Sequence, residues 1–182
     1  FIPNAPKRSA KVPMMLGTTK TELSNQLGRD PAIYTIDEIA LKKRLENYYP
    51  PADLDAALAV FKASSPGATP TELFFKMTSW RSYIRNATIM AETRAELNGA
   101  SNPTWMYQVT WRSPAEGGRR ISQHTLDLPF MFDNVARATN LTGPESEETR
   151  AMTESMANAW LAFARTGNPN HAGIPNWPTY DL

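Results

Sequence analysis

Thr104-Trp105-Met106-Tyr107-Gln108-Val109-Thr110-Trp111 is the stretch on which the fold turns. Aromatic and β-branched residues dominate it, Pro103 precedes it and Pro114 follows it, so it reads as a strand over about 104–111. Upstream, Val12-Pro13-Met14-Met15-Leu16-Gly17-Thr18 is a short apolar run between breakers, the length of a buried strand over about 12–18. Pro13 suits only the first residue of such a strand, because it cannot donate to a ladder. The chain between the two runs has helical periodicity. Two strands joined by a helical crossover are most simply parallel neighbours in one sheet. The order is therefore strand, three helices, strand, irregular segment, helix, which is an α/β arrangement.

Capping signals and prolines delimit the helices. Thr35 with Glu38 three residues on has the spacing of a capping box and predicts a helix over about 36–48, ended by Pro50-Pro51. A second, over about 53–63, puts Leu54, Ala57, Leu58 and Phe61 on one face before Pro66-Gly67. The third is the longest, over about 70–98. Thr69-Pro70-Thr71-Glu72 supplies a cap, a first-turn proline and a glutamate, and Gly99 is the expected stop. Leu73, Met77, Trp80, Ile84, Ala87 and Ala91 form its stripe. The fourth, over about 145–166, carries Met152, Met156, Trp160 and Phe163 and ends at Gly167-Asn168-Pro169. Residues 1–11 read as a loop, and no internal repeat or low-complexity tract is present.

Composition narrows the classes. A chain of 182 residues, 41% apolar and 20% charged, holds one domain with a hydrophobic core. A net charge of +1 gives no field of the kind that attracts nucleic acid. No apolar run reaches the roughly 18 residues of a membrane span. The absence of cysteine excludes disulfides and thiolate metal sites and leaves the compartment open. The opening Phe1-Ile2-Pro3, without methionine or a signal pattern, reads as the interior of a longer protein.

Two histidines limit the imidazole chemistry to a short choice. His124 lies in irregular sequence beyond the second strand, where open parallel sheets place ligands, and it could exchange a proton near neutral pH. A surface or packing histidine explains it as well. Glu22, just past the first strand, could orient an imidazole or be a solvated loop charge. Asp127, three residues from His124, is a competing partner, or a turn or cap residue. His171, in a Gly/Asn/Pro-rich loop, reads as structural or solvated. No serine has a Gly-x-Ser-x-Gly setting, and no phosphate loop or zinc spacing occurs.

Four segments, taken together, go further. Ala10 to Glu22 (AKVPMMLGTTKTE) resembles the type B carboxylesterase stretch in which a VP strand leads to G-T/V-N-x-x-E-G. His124 to Phe132 (HTLDLPFMF) is similar to H-G-x-E-[LI]-P-[FY]-V-F of the same family. Trp160 to Asn170 (WLAFARTGNPN) resembles W-x-x-F-A-[RK]-x-G-[DN]-P-N, and Ile174 to Tyr180 (IPNWPTY) its closing W-P-x-Y. The four occur in family order across nearly the whole chain. Three of the departures from the pattern bear on the site. Leu23 and Thr125 replace glycines, and Asp127 replaces a glutamate that is a buried acid near the serine turn.

The resemblance implies the C-terminal portion of an α/β-hydrolase fold and a carboxylic ester hydrolase of the serine-triad type. It puts Glu22 at the acid, His124 at the base and Asp127 behind them, with a small-molecule ester as substrate and no metal or organic cofactor. It also implies that residues 1–182 are one segment of a single domain. The nucleophile and oxyanion loop would lie in an N-terminal part upstream of Phe1, so the segment alone is expected to be inactive and prone to self-association. Phe74, Phe75 and Trp80 are candidates for an acyl-pocket wall, or else core. The alternative on the same fold is a non-catalytic cholinesterase-like adhesion module, which the residue at the serine position would decide. A free-standing helical interaction domain is a third reading, opposed by the two strands.

Overall fold

The computed structural model describes residues 8–9, 11–98 and 103–182, so the expected stop at Gly99 and most of the expected opening loop lie outside the described residues. In chain order the elements are β1 (Met14–Thr19), α1 (Ser24–Leu27), α2 (Glu38–Leu45), α3 (Pro51–Ala63), α4 (Pro70–Ser79), α5 (Arg85–Asn98), β2 (Thr104–Val109), α6 (Leu128–Met131), α7 (Thr139–Thr142) and α8 (Glu147–Thr166). The strands pair in parallel, from Met14 opposite Thr104 to Thr19 opposite Val109. Among the described residues the sheet has these two strands.

Both strands are shorter than expected, for local reasons. Val12 is outside the ladder because its carbonyl accepts from Arg94 Nη2 (2.5 Å), and the first rung runs from Met14 N to Pro103 O (3.1 Å). β2 stops at Val109, whose carbonyl accepts from Lys20 N (2.9 Å) and Ser122 Oγ (2.7 Å). Trp111 leaves the ladder and meets Phe130 edge-on at 5.5 Å. Alternation along β2 divides its side chains between two faces. Thr104 meets the buried Arg94 of α5 (Nε to Oγ1, 2.9 Å), while Trp105 and Tyr107 meet Phe163 and Trp160 of α8 at 5.9 and 5.0 Å. The sheet is thus covered by α5 on one face and α8 on the other.

A second apolar core gathers α2, α3 and α4, with Leu41, Leu45, Leu54, Leu73, Phe75 and Met77 almost fully buried. Thr69 and Glu72 form the expected capping box (3.2 and 3.1 Å). Ser146 caps α8, and Gly167 closes it in the left-handed conformation (φ 74°). One cap is corrected. Thr35 does not start α2; it ends a tight 3-10 turn, Pro31–Thr35, and Asp37 caps the helix through Ala40 N (2.8 Å). The shorter carboxylate two residues on reaches the free amide, while Glu38 turns outward to Lys62 (2.6 Å). The long third helix is likewise not uniform, because a π-helical turn, Trp80–Ile84, separates α4 from α5. No helix among the described residues is long and apolar enough to cross a membrane.

Candidate active site

The two loops that leave the parallel strands are tied to each other. Thr21 and Gln123 form a parallel bridge, with Thr21 N donating to Ser122 O (3.0 Å) and Ser122 N to Thr21 Oγ1 (2.9 Å). Ser24 Oγ donates to Arg120 O (2.6 Å). This lacing brings Glu22 to His124 across 102 residues of sequence, with Oε2 2.6 Å from Nδ1. Glu22 is 5% exposed, and its other oxygen accepts from Thr19 N (2.6 Å). Both carboxylate oxygens therefore have a donor, as a buried acid requires. The His124 side chain stays 42% exposed. A carboxylate acceptor at Nδ1 places the neutral ring's proton there and leaves the Nε2 lone pair as the basic atom.

The backbone around His124 is held in uncommon conformations. Ile121 (φ 63°) and Thr125 (φ 68°), both β-branched, occupy the left-handed region on either side of Ser122-Gln123-His124. At Thr125 this accounts for the glycine of the resembling motif. Leu23, the other replaced glycine, has φ −88° and needs none. Its N–H donates to Ser79 Oγ (3.0 Å), fastening the acid's loop to the end of α4. Asp127 stands at the start of α6 but makes no cap; Tyr107 Oη donates to its Oδ2 (2.9 Å).

The three aromatics separate. Phe74 and Phe75 are 3% and 0% exposed within the helical core, and Trp80 is 38% exposed, edge-on to Phe61 at 6.2 Å. His171 is pinned by Gly173 N to Nδ1 (3.1 Å) and by Nε2 to Ser155 O (3.0 Å), a structural role. Two residues escaped the sequence reading. Tyr83, on the π-helical turn, lies against the imidazole at 5.8 Å; the extra residue in that turn breaks the helical phase that would have flagged it. Tyr107 was readable only after the strands were set in register, as the aromatic opposite Gly17. A cavity of about 320 Å³ between β2 and α8 is lined by Tyr107, Trp111, Met152, Met156, Trp160 and Trp177 among others, but by neither Glu22 nor His124. No group of three or more His, Cys, Asp or Glu side chains among the described residues is placed to hold a metal.

The carboxylesterase family's sequence pattern matches residues 1–182. The para-nitrobenzyl esterase of Bacillus subtilis (strain 168) is 25% identical over 180 residues, covering 93% of this chain and 32% of the relative. The phenmedipham hydrolase of Pseudarthrobacter oxydans is 25% identical over 186 residues, covering 98% and 36%. Among solved structures, a carboxylesterase of Geobacillus stearothermophilus superposes with a TM-score of 0.74 at 26% identity, covering 97% of this chain and 36% of that one. The chain thus spans about a third of the length of the proteins it matches. Its sheet and helices are part of an α/β-hydrolase fold. Matched by the family pattern from its first residue to its last, and sharing the fold of a solved carboxylesterase, this chain belongs to the carboxylesterase family.

Proposed function

We propose that this chain supplies the acid and the base of a serine-triad carboxylic ester hydrolase. The observation that carries the reading is the 2.6 Å contact between the buried Glu22 carboxylate and Nδ1 of the half-exposed His124. The nucleophilic serine and the oxyanion donors belong to the part of the relatives that this chain does not span. His124 Nε2 takes the serine proton as the oxygen attacks the ester carbonyl, then returns it to the departing alcohol. Water activated by the same nitrogen releases the acid from the acyl-enzyme. Glu22 fixes the tautomer and stabilises the imidazolium that forms in each step. Of the three aromatics proposed for the acyl side, Trp80 is the one that reaches the surface, while Phe74 and Phe75 sit within the helical core. An intact acid–base pair argues for hydrolysis over an adhesion role.

Joined to a nucleophile-bearing N-terminal part, the chain should turn over p-nitrophenyl esters, and His124→Ala should lower kcat by on the order of 10⁴-fold or more. By itself it should show no turnover above background. Hydrolysis by the isolated chain that disappears in His124→Ala would overturn the proposal.

A further inference from the structure

Two acids are within reach of His124 in sequence or space, and the fold gives the imidazole to only one. Glu22 takes Nδ1. Asp127, three residues from His124, is bonded instead to the hydroxyl of Tyr107 (2.9 Å). That hydroxyl has little freedom. Tyr107 pairs with Gly17 in the sheet, and its ring lies so close over Gly17 that a Cβ there would be 2.3 Å from it. Trp160 and Trp177 meet the ring edge-on at 5.0 and 6.4 Å. Burial pushes the phenol well above its ordinary pKa, and the negative charges of Asp127 and Glu22 push the same way. The group therefore stands in the field of both acids and remains a donor through the working pH range.

We infer that Tyr107 is a positioning residue: by engaging Asp127 it keeps that carboxylate from the imidazole, so that Glu22 alone sets the orientation and charge of His124. The inference rests on the reading of His124 as the base. Tyr83 of the π-helical turn also faces the imidazole, at 5.8 Å, while Gln123, next to His124 in sequence, accepts from Arg120 Nη1 (3.3 Å).

The test uses the complete protein, with its nucleophile-bearing part, and compares Tyr107→Phe, Asp127→Asn and their combination. Tyr107→Phe keeps the ring that packs on Gly17 and removes only the donor. It should lower kcat about tenfold with little change in KM. The acid limb of kcat/KM should move upward by about half a pH unit, because a released carboxylate stabilises the imidazolium. Adding Asp127→Asn should return the limb to its original position. A purely structural tyrosine would lose stability without moving the limb. An unmoved limb in Tyr107→Phe, or the same displacement with and without Asp127, would overturn the inference. Should Tyr107→Phe fail to fold, Asp127→Asn alone decides. Its limb should coincide with that of the unmodified protein, and a limb displaced downward would show Asp127 already acting on His124. Turnover unaffected by His124→Ala is a separate result that removes the base assignment itself.

Discussion

At the scale of the residue, the departures from the family motifs are unequal. Thr125 carries a β-branched side chain at φ 68°, a conformation that costs a non-glycine residue about 1 kcal/mol or more. Its hydroxyl, donating to His124 O (2.5 Å), returns part of that. Thr125→Gly should raise unfolding stability by about 1 kcal/mol in a thermal or denaturant melt, and Thr125→Ala, which keeps a Cβ, should not. Leu23→Gly should give no such gain, since φ −88° suits leucine and glycine only adds unfolded-state freedom. This difference was invisible in the sequence, where both positions read alike as missing glycines. Glu22 and His124 were legible as members of motifs but not as a pair, because 102 residues separate them and only the bridge at Thr21 and Gln123 brings them together. Tyr83 was not legible at all.

At the scale of the element, the parallel pairing and two of the caps were readable, and the π-helical turn was not. Thr69 and Glu72 form the box that the sequence spells, and Thr69→Ala should cost about 1 kcal/mol in the same melts. Thr35 and Glu38 spell the same spacing and form none, since Asp37 offers a nearer acceptor. Glu72 has a second task. It pairs with Arg112, which follows β2, and so ties the start of α4 to the sheet. Burial acts to raise its pKa, but the hydrogen bond from Arg112, the Thr69 amide and the charges of Arg112 and Lys76 outweigh it and hold the carboxyl below its ordinary value. A folded-state pKa below the unfolded one contributes stability that is full above the ordinary glutamate value and is lost as the pH falls through the folded value. Unfolding titrations below about pH 4.5 should therefore show a shallower loss of stability in Glu72→Gln than in the unmodified chain. The π-helical turn carries no sequence signature, since Trp80 to Ile84 continue an ordinary helical composition.

At the scale of the whole molecule, the described residues give a two-stranded sheet with the outer edge of β1 unpaired among them. Two strands alone are marginal, and an open edge invites pairing. Ile39, Val60 and Phe132 are 80%, 65% and 69% exposed. The isolated chain should self-associate or be loosely packed, which sedimentation and melting cooperativity can read; a compact monomer with a sharp transition would contradict this. The bridge between Thr21 and Gln123 has a consequence for folding order. Closing a loop of about a hundred residues costs on the order of 4 kcal/mol of chain entropy, repaid only when the crossover helices are in place. The Glu–His pair is then among the last contacts to form and the first to dissolve. Amide exchange at Thr21 and Ser122 should therefore proceed through openings smaller than global unfolding, so that no partly folded form of the chain keeps an assembled pair.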